Sequence, residues 1–473
     1  MSSSTLRPPS AARPVLSSSR LAADPNELIG ARRLHTLTVK GVGWACLAMP
    51  VVLLLAESGL DRFANLGSAL SAVGILAGLV ATNALMLMLL LAARVPLIDR
   101  ALGQPRATSL HSTLGNWVVG GLGVHAVFLL LGGALLDGQH VVGEFVLLWN
   151  STGDFLLAVA GTALLLVVVV SSIAAARRRL PYEVWHVIHL LSYAAVGLSI
   201  PHMFSMSGLL GEGSWQRTYW VALLVLTGGA LLVHRVIQPL ATSFRHRLRV
   251  TSVTPAGPDA LSIEFSGRRL DRLNARAGQY LHWRFLTPQL WWHQHPFSLS
   301  AAPSPTRLRI TVRRLGRGSQ ALIDHLRPGV RVMVEGPYGI FSELARTSPA
   351  LTLIGAGIGI APIRALLEEA AFEPGRATVI LRASHPDGLY LHDEIERLCR
   401  DRGARLVTLV GGRAFGRWLP AGQGDRTLLD IVPDVADTDL YVCGPEGFVR
   451  SVTAEARLAG VPRGRINTEE FSW

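Results

Sequence analysis

The chain is poor in cysteine and in charge for its length. It has only three cysteines in 473 residues, Cys46, Cys399 and Cys443. They are too few and too scattered for a four-thiolate iron–sulfur cluster, a cysteine-rich zinc site or a disulfide framework. Charged residues make up 16% of the chain and hydrophobic residues 49%, which is too apolar for an ordinary soluble protein. We therefore expect a membrane portion, and any redox chemistry needs cofactors other than thiolate-bound metals.

Two more absences narrow the function classes. The net charge is +12, but no basic stripe interleaved with aromatic residues is present, and the arginines gather at the ends of apolar runs. This pattern indicates membrane topology and argues against nucleic-acid binding. No loop of the form DxDxDG is present either, which argues against direct control by calcium.

The first 38 residues are rich in Ser, Pro and Arg and contain no apolar run of the kind found in a secretory signal. We predict a disordered cytosolic tail over residues 1–38. A transit peptide shares the Arg and Ser bias, but Asp24, Glu27 and the lack of a clear amphipathic helix make that the minor alternative.

Six apolar stretches follow, each near the ~20 residues needed to cross the hydrocarbon core of a bilayer. Arginines cluster after the second, fourth and sixth stretches, whereas the other loops carry mainly acids. The positive-inside rule then places both termini in the cytosol. We predict a six-helix transmembrane bundle over residues 39–240, in the cell membrane, with spans near 39–57, 68–93, 114–136, 155–176, 183–203 and 217–237.

The sequence pattern changes twice in the second half of the chain. From about residue 247, short alternating strands are separated by Pro and Gly turns, which predicts a small antiparallel β-barrel over residues 246–345. From about residue 350, apolar strands alternate with helical stretches, which predicts a parallel sheet in an α/β nucleotide-binding domain over residues 346–473.

Histidines recur at matching depths in two of the spans. His111 and His125 bracket the stretch HSTLGNWVVGGLGVH, and on a helix their separation is nearly four turns, or about 21 Å of rise, so they share one face. The fifth span holds His186, His189 and His202. Because the third and fifth spans run in parallel, His111 falls at the depth of His189 and His125 at the depth of His202. Imidazoles at membrane depth are costly unless they serve a ligand or a pathway, so we predict two metal sites.

The phase of the fifth span fits this pairing less well. His189 and His202 are about 220° apart round an ideal helix, so the helix must rewind, and Pro201 can kink its last turn. His186 is no better in phase, and its rise to His202 of about 24 Å overshoots the partner helix. We therefore select His189 rather than His186.

These two spans resemble the ferric reductase transmembrane domain shared by NADPH oxidases and ferric-chelate reductases. In that family, four histidines on the third and fifth spans ligate two b-type hemes stacked across the bilayer. The resemblance implies an inner heme on His111 and His189 and an outer heme on His125 and His202. The alternative is a six-helix transporter or anchor whose histidines are structural.

The barrel region carries an ordered set of flavin motifs. HPFSLSAAP, residues 295–303, followed by VRRLGRGSQ and EGPYG, resembles the flavin signature of the ferredoxin-reductase-like barrel. The resemblance implies that this domain binds FAD, with Ser298 offering a hydroxyl to the isoalloxazine and Arg313 meeting the pyrophosphate. The candidate FAD-binding residues are His295, Pro296, Phe297, Ser298, Arg313, Gly318 and Ser319.

The α/β region begins with a strand, a glycine turn and a helix start, IGAGIGIAPIRALLEE, residues 354–369. It resembles the GxGxGIAP variant of the ferredoxin-reductase nucleotide domain, in which a phosphate approaches backbone donors and the helix N-terminus. After the next strand, polar side chains are available for a 2′-phosphate, which favours NADPH over NADH, although the family's usual arginine is displaced here. The candidate residues are Gly355, Gly357, Gly359 and Pro362 at the turn, and Arg382, Ser384 and His385 after the strand.

Two features near the C-terminus complete the predicted site. YVCGPEGF, residues 441–448, resembles the family's Cys-Gly-Pro loop, which implies that Cys443, Gly444 and Pro445 lie beside the nicotinamide. The final residue, Trp473, takes the place of the family's C-terminal aromatic and would stack on the isoalloxazine as a gate. We predict Cys443, Trp473 and Ser298 as catalytic residues, the alternatives being a buried strand-end cysteine and a frayed terminus.

Together the motifs predict an NAD(P)H oxidoreductase that carries electrons from cytosolic NADPH through FAD and two b-type hemes to an acceptor at the outer face. The acceptor stays open between oxygen, a ferric chelate and a partner protein. The eukaryotic oxidases have an arginine on the second span and a histidine one turn past the outer ligand, whereas this chain has no charge between Phe63 and Ala93 and has Leu129 after His125. This departure weakens a dedicated superoxide function. A membrane-anchored flavin reductase or a relay subunit for a partner protein is the alternative.

Overall fold

The computed structural model describes residues 25–58, 61–177, 179–180, 182–205, 210–413, 416–423 and 425–471. These residues form two compact units. The first, the membrane unit, comprises residues 36–237, and the second, the reductase unit, comprises the chain from Gln238 onward together with the described residues before Thr36.

The membrane unit is helical. Its helices are α1 (Pro25–Ser58, which begins in the other unit), α2 (Leu66–Ala92), α3 (Pro96–Leu102), α4 (Gln104–Leu136), α5 (Val141–Ser151), α6 (Gly153–Ala176), α7 (Tyr182–Ser205) and α8 (Trp215–Leu232). A short π-helical segment, Val233–Ile237, follows α8 and leads into α9 (Gln238–His246). The short apolar helix α5, between the third and fourth long helices, was not predicted.

Six helices among the described residues are long and apolar enough to cross a membrane, which confirms the predicted number. The spans are Leu34–Ala56, Leu66–Ala92, Arg106–Leu136, Gly153–Ala175, Val184–Ser205 and Trp215–His246. Helix α1 starts at Pro25, so residues 25–38 of the predicted disordered tail are helical. Proline is tolerated at a first helical position, where its missing N–H costs nothing, and no further proline lies between Pro25 and residue 40. Residues 1–24 of the tail lie outside the described residues.

Small residues bring neighbouring helices of this unit close together. A Cβ added at Gly121 of α4 would lie 2.9 Å from the Cβ of Ala81 on α2, and one at Gly161 of α6 would lie 2.8 Å from the carbonyl oxygen of Ala195 on α7. Such contacts are typical of membrane helices, which associate by close backbone packing because lipid supplies no hydrophobic driving force between them.

The reductase unit begins with α9 and two antiparallel sheets. Their strands are β1 (Arg249–Gly257), β2 (Ala260–Ser266), β3 (Tyr280–Phe285), β4 (His295–Ser298), β5 (Arg307–Arg313) and β6 (Val332–Tyr338), in the orders β1-β2-β5 and β4-β3-β6. Single bridges, Arg249–Arg331 and Leu299–Ile310, join the two sheets. Alternating inward residues fill the space between them, where Phe265 stacks on Trp283 at 4.4 Å. Helix α10 (Arg317–His325) follows β5.

Helix α9 is bonded to this part of the chain. The Val334 N–H of β6 donates to the Ser243 hydroxyl at 3.2 Å, and the ring of His246 bonds the Arg268 carbonyl at 2.9 Å. The structural unit therefore starts at Gln238, earlier than the boundary predicted at residue 246. Short strands signal their domain through alternation, whereas a helix that continues an apolar span carries no such signal.

The rest of the unit is a five-stranded parallel sheet, as predicted. Its strands are β7 (Leu351–Ala356), β8 (Ala377–Ala383), β9 (Arg405–Val410), β10 (Asp439–Gly444) and β11 (Ile466–Glu470), in the order β11-β10-β7-β8-β9. The associated helices are α11 (Ile360–Glu369), α12 (His392–Arg402), α13 (Leu428–Ile431) and α14 (Glu446–Leu458). The strand order reverses between β7 and β10, which makes their carboxyl ends the expected ligand crevice of a doubly wound sheet.

Three carboxylates of the α/β domain hold it to the antiparallel sheets. Glu368 accepts from the Ala302 N–H at 2.7 Å, and Glu369 accepts from the Ala277 N–H at 2.9 Å. Glu394 of α12 pairs at 2.9 Å with both Arg309 of β5 and Arg364 of α11. We call these three residues the interdomain ion cluster. Burial works against the charged form of Glu394, but the two guanidinium groups outweigh it and hold the pKa of that carboxyl below its usual range.

Candidate functional site

The membrane unit brings the four predicted histidines together as two pairs. The ring centroids of His111 and His189 are 6.3 Å apart, and those of His125 and His202 are 6.4 Å apart. The helix α7 runs unbroken through Pro201, and both of its paired histidines reach α4. The two pairs thus have nearly equal spacing at two levels of the bundle.

The second helix orients both histidines of α4. The His111 Nδ1 lies 3.1 Å from the Met88 carbonyl oxygen, and the His125 Nδ1 lies 2.9 Å from the Gly74 carbonyl oxygen. A carbonyl oxygen only accepts, so Nδ1 must be the protonated nitrogen in each ring and Nε2 keeps its lone pair. Met88 and Gly74 are as far apart along α2 as the two histidines are along α4. Helix α2 therefore supports one histidine of each pair through its backbone carbonyls.

The space around His125 depends on a missing side chain. A Cβ added at Gly78 of α2 would collide with the His125 ring. This gap lets the ring lie against the helix backbone, where it reaches the Gly74 carbonyl. The sequence gives no direct signal for this role, since Gly78 reads as one of many small residues in an apolar span.

This arrangement fits two metal sites of one kind. An imidazole nitrogen lies about 2 Å from a metal that it ligates, so two imidazoles on opposite sides of one metal have centroids about 6 Å apart. Hydrogen bonding of the second nitrogen to a carbonyl is the usual support for a metal-bound histidine. Among the described residues, no group of three or more His, Cys, Asp or Glu could hold a metal ion. Each pair therefore fits a metal whose other ligands come from a planar cofactor such as heme.

The reductase unit brings two of the predicted catalytic residues to one place. Cys443 is the second-last residue of β10, at the strand-order reversal, and is paired in the sheet with Gly355 of β7 on one side and Glu469 of β11 on the other. The Ser298 hydroxyl of β4 donates to the Glu469 carboxyl at 3.0 Å. The centre is therefore formed by Ser298, Cys443 and Glu469, and Glu469 was missed from the sequence.

The protonation states of this centre follow from burial. Burial raises the pKa of Glu469 to about 8, and the hydrogen bond from Ser298 only partly offsets it. The residue as a whole is partly exposed, but its Oε2 atom is buried and has no hydrogen-bond partner within the described part of the chain. Burial, and then the nearby Glu469 carboxyl, raise the pKa of the Cys443 thiol well above its usual value. Both groups are therefore mainly protonated near neutral pH, and the centre carries little charge.

The remaining flavin candidates separate into two groups. His295 and Phe297 stack at 5.5 Å, Pro296 lies between them in β4, and a Cβ added at Gly318 of α10 would lie 2.9 Å from the His295 ring. Burial, together with the nearby His293, lowers the pKa of His295 to about 4, so its ring is neutral at physiological pH. These residues lie together beside Ser298.

Arg313 and Ser319 are engaged elsewhere. The Arg313 guanidinium donates to the Asp259 carboxylate at 2.8 Å and lies over the Tyr390 ring, while Tyr390 donates to the same carboxylate at 2.6 Å. The Ser319 hydroxyl accepts from the Leu315 N–H at 2.9 Å and so closes its own turn. Contact of either side chain with a pyrophosphate would require these bonds to be exchanged.

The three glycines of the predicted nucleotide turn have different roles. Gly359 packs on the β10 turn, since its added Cβ would lie 2.8 Å from the Gly444 nitrogen, and Gly355 packs on the start of α11, with Ile360 at 3.1 Å. Gly357 has a φ of +56° and nothing within 4 Å of an added Cβ. Only Gly357 leaves open space for a ligand, with Pro362 in the first turn of the helix beyond it and Pro445 capping α14 across the crevice.

The Arg382 guanidinium is buried and bonded to backbone carbonyls of its own domain. The residue is 3% exposed and its guanidinium donates to the carbonyls of Trp418, at 2.9 Å, and Gly411, at 2.7 Å. The predicted 2′-phosphate role is thus corrected to a structural one, because a strand residue whose side chain points inward meets backbone carbonyls rather than solvent. Ser384, with His385 beside it, is exposed just past the end of β8. Arg413, which was not among the predicted residues, is exposed just past the adjacent β9.

The last predicted site residue is Trp473. Trp473 lies outside the described residues, so its stacking on the flavin stays a prediction. The nearest described aromatic, Phe471, donates its N–H to the Gly444 carbonyl at 3.1 Å, which ties the end of the chain to the Cys-Gly-Pro loop.

Comparison with protein families finds three matches along the chain. Residues 77–200 match the ferric reductase like transmembrane component, residues 245–342 an FAD-binding domain, and residues 353–454 an oxidoreductase NAD-binding domain. The first match covers His111, His125 and His189 and ends two residues before His202. The second covers Ser298, and the third covers Cys443.

Curated relatives match a smaller part. The ferredoxin reductase component of 3-ketosteroid-9-alpha-monooxygenase from Rhodococcus rhodochrous is 28% identical over 233 residues, covering 48% of this chain and 64% of the relative. A flavohemoprotein from Vibrio cholerae is 29% identical over 183 residues, covering 37% of this chain and 45% of the relative. The chain therefore spans less than two thirds of the length of these relatives.

A solved structure, the flavohem-like FAD/NAD binding domain of nitric oxide dioxygenase from Vibrio cholerae, is similar with a TM-score of 0.41 and 23% identity, covering 48% of this chain and 98% of that one. The three domain matches stand in a single order, membrane component, FAD-binding domain and NAD-binding domain. The chain has the domain architecture of the ferric reductase and NADPH oxidase superfamily, with an FAD-binding and an oxidoreductase NAD-binding domain after the transmembrane component.

Proposed function

We propose that the protein carries electrons from cytosolic NADPH across the cell membrane, by way of FAD and two b-type hemes, to an acceptor at the outer face. The observation that supports this most is the pair of histidine pairs, equal in spacing and placed at two levels of one bundle. A single pair would support one buried cofactor, whereas two pairs support a path across the membrane.

The histidines would hold the hemes, His111 with His189 on the cytosolic side and His125 with His202 on the outer side. FAD would lie against His295, Phe297 and Ser298, and the nucleotide against Gly357 and the loop after Cys443. When bound, FAD accepts the hydride of a nicotinamide and yields electrons singly, which is the form that heme iron accepts.

Ser298 and Glu469 would hold and exchange a proton during flavin reduction. With a pKa raised to about 8 by burial, the Glu469 carboxyl holds a proton near neutral pH. The Ser298 hydroxyl is bonded to it at 3.0 Å and can exchange a proton with it. The neutral Cys443 thiol beside them would pack against the nicotinamide without placing a charge there.

NADPH is favoured over NADH by the exposed residues at the ends of two adjacent strands. Ser384 follows β8, His385 is next to it, and Arg413 follows β9. A 2′-phosphate is recognised at this edge of a doubly wound sheet by hydroxyl and guanidinium groups. Arg413 thus takes the role that the sequence assigned to Arg382.

The topology completes the proposal. Arginines follow the second, fourth and sixth spans, so both termini and the reductase unit would face the cytosol. The two antiparallel sheets, joined by single bridges at Arg249 and Leu299, would close as the predicted barrel. The acceptor would be oxygen or a ferric chelate: superoxide-dismutase-sensitive reduction of an outer-face probe supports oxygen, and insensitive reduction of chelated iron supports the chelate.

The alternative is a membrane-anchored flavin reductase, or a relay subunit that serves a partner protein, with structural histidines. A reduced-minus-oxidised absorption spectrum of the purified full-length protein separates the two. We expect the bands of low-spin b-type heme at about two hemes per chain. A spectrum that shows flavin alone would contradict the proposal and support the alternative.

A further inference from the structure

The four paired histidines differ in what supports their second ring nitrogen. In the inner pair, the His111 Nδ1 has the Met88 carbonyl at 3.1 Å, and the His189 Nδ1 has the Ser172 hydroxyl at 3.5 Å. In the outer pair, the His125 Nδ1 has the Gly74 carbonyl at 2.9 Å. The fourth nitrogen, the Nδ1 of His202, is buried and has no hydrogen-bond partner among the residues that the structure describes.

The Ser172 hydroxyl must accept from His189. Its own proton is used in a bond to the Val168 carbonyl at 2.7 Å, and the Trp185 indole N–H donates to it at 3.1 Å. A hydroxyl has one proton and two acceptor lone pairs, so the remaining lone pair faces the His189 ring. His189 therefore carries its proton on Nδ1 and presents Nε2 to its partner, as His111 does.

Hydrogen bonding at the second nitrogen makes an imidazole a stronger electron donor to its metal, and second-shell hydrogen bonds are one of the protein's means of setting a redox potential. Both imidazoles of the inner pair have this support, whereas the outer pair has it on His125 alone. A stronger donor stabilises the oxidised metal and lowers its potential.

We propose that Ser172 is a positioning residue which, together with the unsupported Nδ1 of His202, makes the outer heme site more oxidising than the inner one and so directs electrons outward. The proposal rests on the proposed function, because it requires a heme at each pair. His111 with His189 and His125 with His202 would each hold one heme iron, and one electron would pass from the first site to the second. This transfer breaks no bond and needs no proton or co-reactant.

One charge acts in the opposite direction. Asp154, at the start of α6, lies near enough to His202 to interact with it electrostatically. A negative charge favours the oxidised metal, but this carboxylate stands at a helix end and is partly exposed, where water screens it. The hydrogen-bond difference acts through the ligand itself and is expected to dominate.

The test is a spectroelectrochemical titration of the purified full-length protein, following the heme bands through two one-electron steps. Ser172→Ala removes the acceptor of His189 and should move the lower step upward, changing the equilibrium constant between the two sites on the order of two- to tenfold. Ser172→Thr keeps a hydroxyl and should restore the wild-type value. Ser171→Ala is the matched control, since the neighbouring buried Ser171 bonds only the Val168 carbonyl, and it should move neither step.

A second variant gives a shift of the opposite sign. In the wild type, the Trp185 ring lies 5.0 Å from the His189 ring. Trp185→Phe keeps an aromatic ring there but removes the indole N–H, which competes with His189 for the lone pairs of the Ser172 hydroxyl. The lower step should then move downward, even if Ser172→Ala folds poorly. The inference is overturned if Trp185→Phe leaves the lower step unmoved, if Ser172→Ala moves the upper step, or if Ser171→Ala has the same effect. A protein without heme contradicts the proposed function instead, and two hemes with unshifted potentials contradict this inference alone.

Discussion

The two units prepare their candidate sites by different physical means. In the membrane unit, backbone carbonyls of one helix and a gap left by Gly78 orient the histidines of another helix. In the reductase unit, polar side chains from separate strands meet in a mostly buried cluster, with Ser298 bonded to Glu469 beside Cys443. The first site depends on helix geometry, which is repetitive, and the second on tertiary pairing of strands far apart in sequence. The difference decides what each site tolerates.

The largest expected effect separates the two units completely. His125→Leu should remove the outer heme, about half of the total, and abolish electron delivery to the outer face, because no ligand pair remains at that level. NADPH should still reduce the flavin at the wild-type rate, since the reductase unit has hydrophobic cores of its own. Heme content and stopped-flow flavin reduction check this. Slow flavin reduction in this variant would show that the units are not independent.

The next effect concerns the proton held in the reductase site. Glu469→Ala should slow flavin reduction by NADPH about 10²-fold, the usual contribution of a positioned acid or base. The pKa of Glu469 is raised to about 8, so the protonated form is present below that pH and is lost as the pH rises through about 8. The wild-type rate should therefore fall above pH 8, whereas Glu469→Gln should show no such fall.

The neighbouring exposed residue gives the control for this prediction. Glu470→Gln alters the same strand without touching Ser298 and should keep both the rate and its pH dependence. If Glu469→Gln retains the fall above pH 8, the group that titrates is another one.

A smaller effect tests the gap beside His125. Gly78→Ala adds a methyl group that collides with the His125 ring, and overpacking of this kind costs typically about 1–3 kcal/mol. We expect weakened retention and an altered spectrum of one heme, with the other unchanged. Gly120→Ala on α4 is the control, because an added Cβ there meets nothing within 4 Å. Equal behaviour of the two variants would remove Gly78 from the site.

The smallest effect concerns the interdomain ion cluster. Glu394→Gln should destabilise the reductase unit by about 2 kcal/mol, because Arg309 and Arg364 lose their shared carboxylate. The pKa of Glu394 is lowered, so its stabilisation is present above the ordinary carboxyl range and is lost as the pH falls through the folded value. Thermal unfolding of wild type and variant should converge at low pH. The exposed pair Glu396 and Arg400 is the control, and Glu396→Gln should change little.

How far the sequence could predict each site follows from the same contrast. The spacing of His111 and His125 predicts a shared face because a helix repeats, and choosing His189 agrees with the observed pairing distance. We expected the helix to rewind or kink at Pro201. The structure shows no break there, since α7 is continuous. The support from Met88, Gly74 and Gly78 was not predictable, because it depends on the register between two helices.

The reductase site shows the opposite limit. Motifs located Ser298 and Cys443 because each lies in a distinctive local pattern. Glu469 lies in the plain stretch RINTEEFSW, and its role arises only when β11 pairs with β10. Arg382 was assigned to a phosphate because a sequence does not show which way a strand residue points, and the structure turns it inward. Local patterns identify residue types, whereas strand pairing and side-chain direction assign their roles.

The early start of the reductase unit has a practical consequence for dividing the protein. A soluble fragment that begins at Leu248 would discard α9, and with it the bonds of Ser243 to Val334 of β6 and of His246 to Arg268. Such a fragment would leave the Val334 N–H and the Arg268 carbonyl without these partners. A fragment beginning at Gln238 keeps these bonds, at the cost of a partly apolar helix in which Phe244 is exposed. Expression trials should therefore cut ahead of α9, and replace Phe244 with a polar residue to restore solubility.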